Sequence, residues 1–254
     1  MTGYSVSSAP PDLVCLHAAG ATGAMFAGIA DRLKGLANVV TPELPGRGST
    51  YDQKPLLRME TAVASLLPDL LTRPDRSYAL FGYSMGALVA FELICELARL
   101  GAGLPAVLFV AATRAPHVPP REAPLHLMDD ADLLEELARF QGTAQELLDD
   151  AELMDLVLPR LRADFELCET YRFGQMRQLP VPLYAFGGKS DEKVTAADLA
   201  AWLQLTLVGG TWEQLPGGHF FLENQEEALT RRIASIMLPG AYAVTAPSGT
   251  VPHG

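Results

Sequence analysis

The stretch Tyr78-Ala79-Leu80-Phe81-Gly82-Tyr83-Ser84-Met85-Gly86-Ala87 decides how the chain is read. Tyr78–Phe81 is a continuous apolar run, the mark of a strand covered on both faces. A helical pattern follows from Met85 to Leu100, and Gly101 and Gly103 close it as helices commonly end. Between strand and helix stands Gly-x-Ser-x-Gly, the pattern of a nucleophile elbow, where glycines flank a serine because the turn is too tight for side chains. Such a turn lifts the Ser84 hydroxyl above the sheet. It also aims a helix N-terminus at the serine, where backbone N–H groups favour developing negative charge. A glycine-rich turn with an incidental serine is the bland alternative. A phosphate loop would need more glycines and a lysine, and both are missing.

Outward from the elbow, short apolar runs alternate with helical patterns, the signature of βαβ units around a mostly parallel sheet. Strands are expected at Leu13–His17, Val39–Thr41, Tyr78–Phe81, Ala106–Ala111, Val181–Phe186 and Trp212–Leu215. Helices are expected from about Phe26 to Leu36, Glu60 to Thr72, Met85 to Leu100, Ala196 to Leu205 and Gln225 to Leu238. Residues 115–179 break the alternation with helical patterns and proline-rich turns. They read as a helical cap, or lid, inserted between the core segments 1–114 and 180–238. Residues 129–169 hold thirteen acidic side chains against three arginines, ten of the chain's eleven net negative charges. Most of those carboxylates read as solvated helix faces. Residues 239–254, rich in Pro, Gly, Ser and Ala, read as a disordered tail.

The chain has 254 residues, 49% hydrophobic and 19% charged, which suits one α/β domain. Thirty acidic residues against nineteen basic ones argue against nucleic acid as a partner, since phosphate backbones demand a basic footprint. Cys15, Cys95 and Cys168 sit in apolar runs and read as free thiols of a reducing compartment. The first residues lack the basic and apolar regions of a secretory signal, and no 18-residue apolar run is present. A cytoplasmic protein without a membrane segment is expected.

A serine hydroxyl needs a base, normally an imidazole oriented by a carboxylate. Of five histidines, His253 lies in the tail, and His117 and His126 read as surface residues of the cap. His17 ends the first strand, where it would shape a loop. His219, in Pro216-Gly217-Gly218-His219-Phe220-Phe221, follows the last strand and comes after Ser84, in the Ser…acid…His order of α/β-hydrolases. For the acid, Asp191 closes a strand-to-loop segment on the sheet edge where ligands bind in open α/β folds. Its rivals are Asp198, inside a helix, and Asp164, in the cap; a plain N-cap role for Asp191 is the alternative. The oxyanion donors expected are the N–H of Met85 and one from the loop His17-Ala18-Ala19-Gly20. By analogy with the H-G-x-G pattern that donor is Ala19, with Ala18 as the fallback.

Together these residues resemble the type II thioesterases, free-standing editing α/β-hydrolases of polyketide and non-ribosomal peptide synthases. The resemblance runs from Leu13 to about Leu238. It includes Leu44-Pro45-Gly46-Arg47-Gly48, the serine motif, Leu158-Pro159-Arg160-Leu161-Arg162-Ala163-Asp164-Phe165 and Gly217-Gly218-His219-Phe220-Phe221. It implies a Ser84–His219–Asp191 triad, no cofactor or metal, and an acyl or peptidyl carrier protein as partner. The reaction implied is hydrolysis of a thioester on the phosphopantetheine arm, for editing or product release. Two departures bear on the acyl pocket. Tyr83 stands where the family usually has His, and His17 and Gly20-Ala21 replace a Pro and a Gly-Gly pair. No carboxylate follows the strand Ala106–Ala111, which favours the free-standing enzyme over a macrocyclising domain. Leu133, Leu137, Phe140, Leu147 and Leu148 are expected under the cap, and Arg114, Arg172 and Arg177 at its borders as carrier contacts. The alternatives are a small-molecule carboxylesterase or lipase of the same fold, and an idle binding scaffold.

Overall fold

A computed structural model describes residues 10–72, 77–139 and 150–238. The tail expected over 239–254 and the candidates Phe140, Leu147 and Leu148 lie outside the described residues. Six strands, β1 (Asp12–Leu16), β2 (Asn38–Val40), β3 (Tyr78–Tyr83), β4 (Leu108–Ala111), β5 (Leu183–Gly188) and β6 (Gly210–Leu215), form one sheet in the order β2-β1-β3-β4-β5-β6. Every pairing is parallel. The helices are α1 (Ala27–Arg32), α2 (Met59–Leu71), α3 (Met85–Arg99), α4 (Asp130–Arg139), α5 (Ala151–Glu169), α6 (Ala196–Ala201) and α7 (Leu222–Met237). The expected alternation is present, and the architecture is that of an α/β-hydrolase. Helix boundaries differ modestly, as at α6, whose last turn tightens into a 3-10 segment at Trp202–Leu205.

The continuous apolar strands are explained by burial on both faces. Val14, Leu16, Leu80, Leu108, Val110, Leu183 and Ala185 face α2, α3 and Trp202. The alternate residues Leu13, Cys15, Ala79, Phe81, Tyr83, Phe109 and Phe186 face α1 and α7. The period of two along each strand thus serves two cores at once. Between β4 and β5 the described residues of 115–179 carry a third, smaller apolar cluster. Leu125, Leu133, Leu137, Met154, Leu158 and Leu161 pack together, and Ala19 of the loop after β1 touches them. Among the described residues no helix is long and apolar enough to cross a membrane.

Candidate active site

The turn from β3 into α3 is built by close backbone approach. A Cβ at Gly82 would stand 2.3 Å from the Gly86 carbonyl oxygen, and one at Gly86 would stand 2.1 Å from that of Leu16. Only glycine fits either position. Ser84 takes φ 52°, ψ −113°, a region costly for a residue with a side chain, and its own N–H is held by the Ala111 carbonyl at 2.8 Å. The strain is localised on the one residue whose hydroxyl the turn presents.

The structure brings Ser84, His219 and Asp191 together, the three residues expected from sequence. His219 Nε2 is 3.3 Å from Ser84 Oγ, and His219 Nδ1 is 3.0 Å from Asp191 Oδ2. The second Asp191 oxygen accepts from the amides of Lys193 at 2.9 Å and Val194 at 3.2 Å. Both carboxylate oxygens are therefore occupied, and the side chain is 1% exposed. One oxygen orients the imidazole and the other fixes the carboxylate itself. Phe220 sets its ring edge-on to His219, with centroids 5.2 Å apart.

The rival acids have other employment. Asp198 is the third residue of α6. It closes a capping box with Thr195 and pairs with Arg121 through both oxygens. Burial works against its charge, but Arg121 and the Thr195 bonds prevail and hold the carboxyl down at about 2. Asp164, on α5, is fully buried against Arg47, at 2.7 and 2.8 Å, and accepts the Gly20 N–H at 2.8 Å. The family-like motifs carrying Arg47 and Asp164 thus meet each other, a pairing that no local sequence pattern reveals.

That contact orders the loop after β1. The Gly20 N–H is taken by Asp164, that of Ala21 by the Ala18 carbonyl, and that of Ala18 by Met25 Sδ at 3.4 Å. Ala19 is left as the amide in the turn without an acceptor among the described residues. His17 is buried and donates from Nδ1 to the Ala18 carbonyl, the loop-shaping role expected for it. Burial, reinforced by the Arg47 charge, lowers its pKa.

Two expectations, on Tyr83 and on the histidines of the cap, need correction. Tyr83 does not reach an acyl pocket. Its ring is fully buried between the sheet and α1/α7, against Phe81 and Phe221, and its hydroxyl donates to the His219 carbonyl at 2.6 Å. His117 and His126 are half-buried, not surface residues, and His126 Nδ1 meets Glu169 of α5 at 2.5 Å. Arg114 is committed to Glu122 and Arg177 to Glu92, while Arg172 donates to the carbonyls of Glu169 and Tyr171. None of these three guanidiniums stands idle at the border of the segment. The cysteines are all free thiols. Burial pushes the thiols of Cys15 and Cys168 well up and that of Cys95 to about 12, so none is a thiolate nucleophile.

A cavity of about 190 Å³ opens against His219 and Asp191, with Glu136 and Arg139 of α4 and Lys193 on its walls. It is a polar space, and Glu136 bonds to Lys193 at 3.2 Å across it.

Residues 11–237 match the family model described as "Thioesterase domain". The chain is 32% identical over 237 residues to the gramicidin S biosynthesis protein GrsT of Aneurinibacillus migulanus, covering 92% of this chain and 93% of that one. Among solved structures it resembles the type II thioesterase BorB from the borrelidin biosynthetic cluster, with 33% identity, TM-score 0.82, and 91% and 94% of the two chains covered. ClbQ from the colibactin NRPS/PKS pathway superimposes with TM-score 0.84 at 28% identity, over 94% of this chain and all of the other.

Proposed function

The chain belongs to the thioesterase family, and on that premise we propose that Ser84, His219 and Asp191 are its catalytic triad. The observation that carries the reading is one imidazole bonded on one side to the elbow serine and on the other to a buried carboxylate. The activity is that of a type II thioesterase on acyl groups borne by the carrier proteins of polyketide or non-ribosomal peptide synthases.

In the first step Ser84 Oγ attacks the thioester carbonyl while His219 Nε2 takes its proton. The carbonyl electrons move onto oxygen, which the amides of Met85 and Ala19 receive; the spent amides of Ala18 and Gly20 support Ala19 as the second donor. Collapse breaks the C–S bond, and Nε2–H returns the proton to the departing sulfur. Asp191 holds the imidazolium meanwhile. Water, deprotonated by His219, then attacks the acyl-serine, and free acid leaves with Ser84 restored. The protein's own groups complete the cycle.

The leaving sulfur must lie where His219 can protonate it. The pantetheine arm therefore runs along the His219 side, through the polar cavity between α4 and the 190–193 loop, whose walls suit its amides and hydroxyl. The acyl chain is directed the other way, towards Ala19 and the apolar cluster of residues 115–179, which serve as the lid. The test compares hydrolysis of an acyl-carrier thioester with a matched oxygen ester, using wild type and Ser84→Ala. Preference for the thioester, with Ser84→Ala down by on the order of 10⁴–10⁶, is expected. Preference for the oxygen ester would favour a carboxylesterase. A Ser84→Ala variant retaining more than roughly a tenth of the activity would sink the nucleophile assignment.

A further inference from the structure

We propose that Tyr83 is a positioning residue for catalysis, setting the distance between His219 and Ser84 by binding the His219 backbone. The proposal rests on the reading of His219 as the base.

His219 sits on a loop between β6 and α7, and a loop alone would let its imidazole wander. Two contacts pin that loop from outside. The Ser190 N–H donates to the Gly217 carbonyl at 2.9 Å, and the Tyr83 hydroxyl donates to the His219 carbonyl at 2.6 Å. Ser190 directly precedes Asp191, and Tyr83 directly precedes Ser84. Each of the two side chains that His219 must meet is therefore joined, one residue upstream, to the loop that carries His219. A displacement of the elbow or of the acid loop drags the imidazole with it, and the two distances around the imidazole are held as a unit.

The phenol is equipped for this task. Its ring is wholly buried, wedged between Phe81 and Phe221, so the hydroxyl has no freedom to swing away. Desolvation pushes the phenol far above its ordinary pKa, so it stays a donor at neutral pH. In a dry site a bond of this kind is strong, and leaving the carbonyl unpaired is costly.

The test is Tyr83→Phe, which removes one oxygen and keeps the ring. A misplacement near 1 Å costs about 10²-fold, so kcat is expected to fall about 10- to 100-fold with KM within about twofold. The rate at which a fluorophosphonate labels Ser84 should fall by the same factor. Placing p-aminophenylalanine at position 83 restores a donor and should recover both rates, which a purely structural role would not require. In a His219→Ala background, Tyr83→Phe should have no further effect on labelling. Wild-type kcat in Tyr83→Phe, or an undiminished loss in the His219→Ala background, would overturn the proposal. If His219→Ala itself stays active, the failure belongs to the triad reading instead. Should Tyr83→Phe not fold at the assay temperature, the p-aminophenylalanine variant decides: full activity supports the donor role, and a folded but impaired enzyme refutes it.

Discussion

Asp164 and Arg47, 117 positions apart, meet as a two-armed ion pair with both side chains 1% exposed. The same carboxylate holds the Gly20 amide, so one buried pair joins α5, the loop after β2 and the loop after β1. Removing one partner strands the other charge in a dry site, which costs about 3–5 kcal/mol. Asp164→Asn is therefore expected to lower the thermal midpoint by roughly 10 °C. The double variant Arg47→Met/Asp164→Leu should recover most of that loss, since replacing both charges with apolar groups is often neutral. Differential scanning of the three proteins checks this. A double variant less stable than Asp164→Asn would show that the pair contributes net attraction beyond mutual neutralisation.

Among the three carboxylates Asp191, Asp198 and Asp164, loss of Asp191 should cost the most activity. Asp191→Asn removes the group that orients the imidazole and should cut kcat by on the order of 10²–10⁴. Asp198→Asn weakens the N-terminus of α6 and its Arg121 pair and should leave kcat within a few-fold. Asp164→Asn should act mainly through stability, so its kcat is read well below its unfolding midpoint. A loss in either of the last two that matches Asp191→Asn would undo the ranking.

His17 supplies a pH dependence of stability. Burial disfavours its charged form, so its pKa in the folded protein lies below the ordinary value of about 6.5. Above that value neither folded nor unfolded His17 holds the proton, and its contribution is constant. Below it the unfolded chain takes up a proton that the folded chain refuses, so stability falls as pH drops, by at most about 1.4 kcal/mol per pH unit. Urea midpoints at pH 7.5 and 5.5 should therefore diverge more for wild type than for His17→Gln. Equal slopes would place the histidine in water.

Carrier recognition carries a salt signature. Residues 129–169 bring ten net negative charges, and Arg114 and Arg177 are already paired with carboxylates. Carrier proteins are generally acidic, so long-range repulsion should slow encounter at low salt. Modest salt is expected to raise kcat/KM on an acyl carrier protein and to leave the same acyl group on a small thiol nearly unchanged. A steep fall with salt on the carrier substrate would reveal a basic docking patch.

What the sequence disclosed and what it concealed divide along contact range. The strands were legible because each is an apolar run, and the elbow because Gly82, Ser84 and Gly86 lie within five residues of one another. Asp191 and His219 were legible through strand ends, since a parallel sheet brings its carboxyl ends to one edge. Tyr83, a departure expected to bear on the acyl pocket, instead lies beside Phe81 on the face towards α1 and α7, as alternation along β3 dictates. Its partner, a carbonyl 136 residues away, leaves no side-chain trace in the sequence. Arg47 has no role legible in its motif and Asp164 reads only as a rival acid, because a charge inside a core is intelligible only once its counter-charge is found. His126 looked like a surface residue for the same reason, its Glu169 lying 43 positions on.

Each strand of the sheet pairs with one made earlier: β2 and β3 with β1, β4 with β3, β5 with β4, β6 with β5. The ladder can therefore lengthen outward as the chain leaves the ribosome, without waiting for a later strand to be threaded in. Ser84 is in place early, but His219 is translated 135 residues later. At about 5–20 residues per second that interval lasts on the order of ten seconds. Throughout it the proposed triad is incomplete, and Ser84 has no imidazole beside it. On the proposed triad, hydrolysis waits until the last strand and the loop after it have docked, and a truncated product released before that point should be chemically silent.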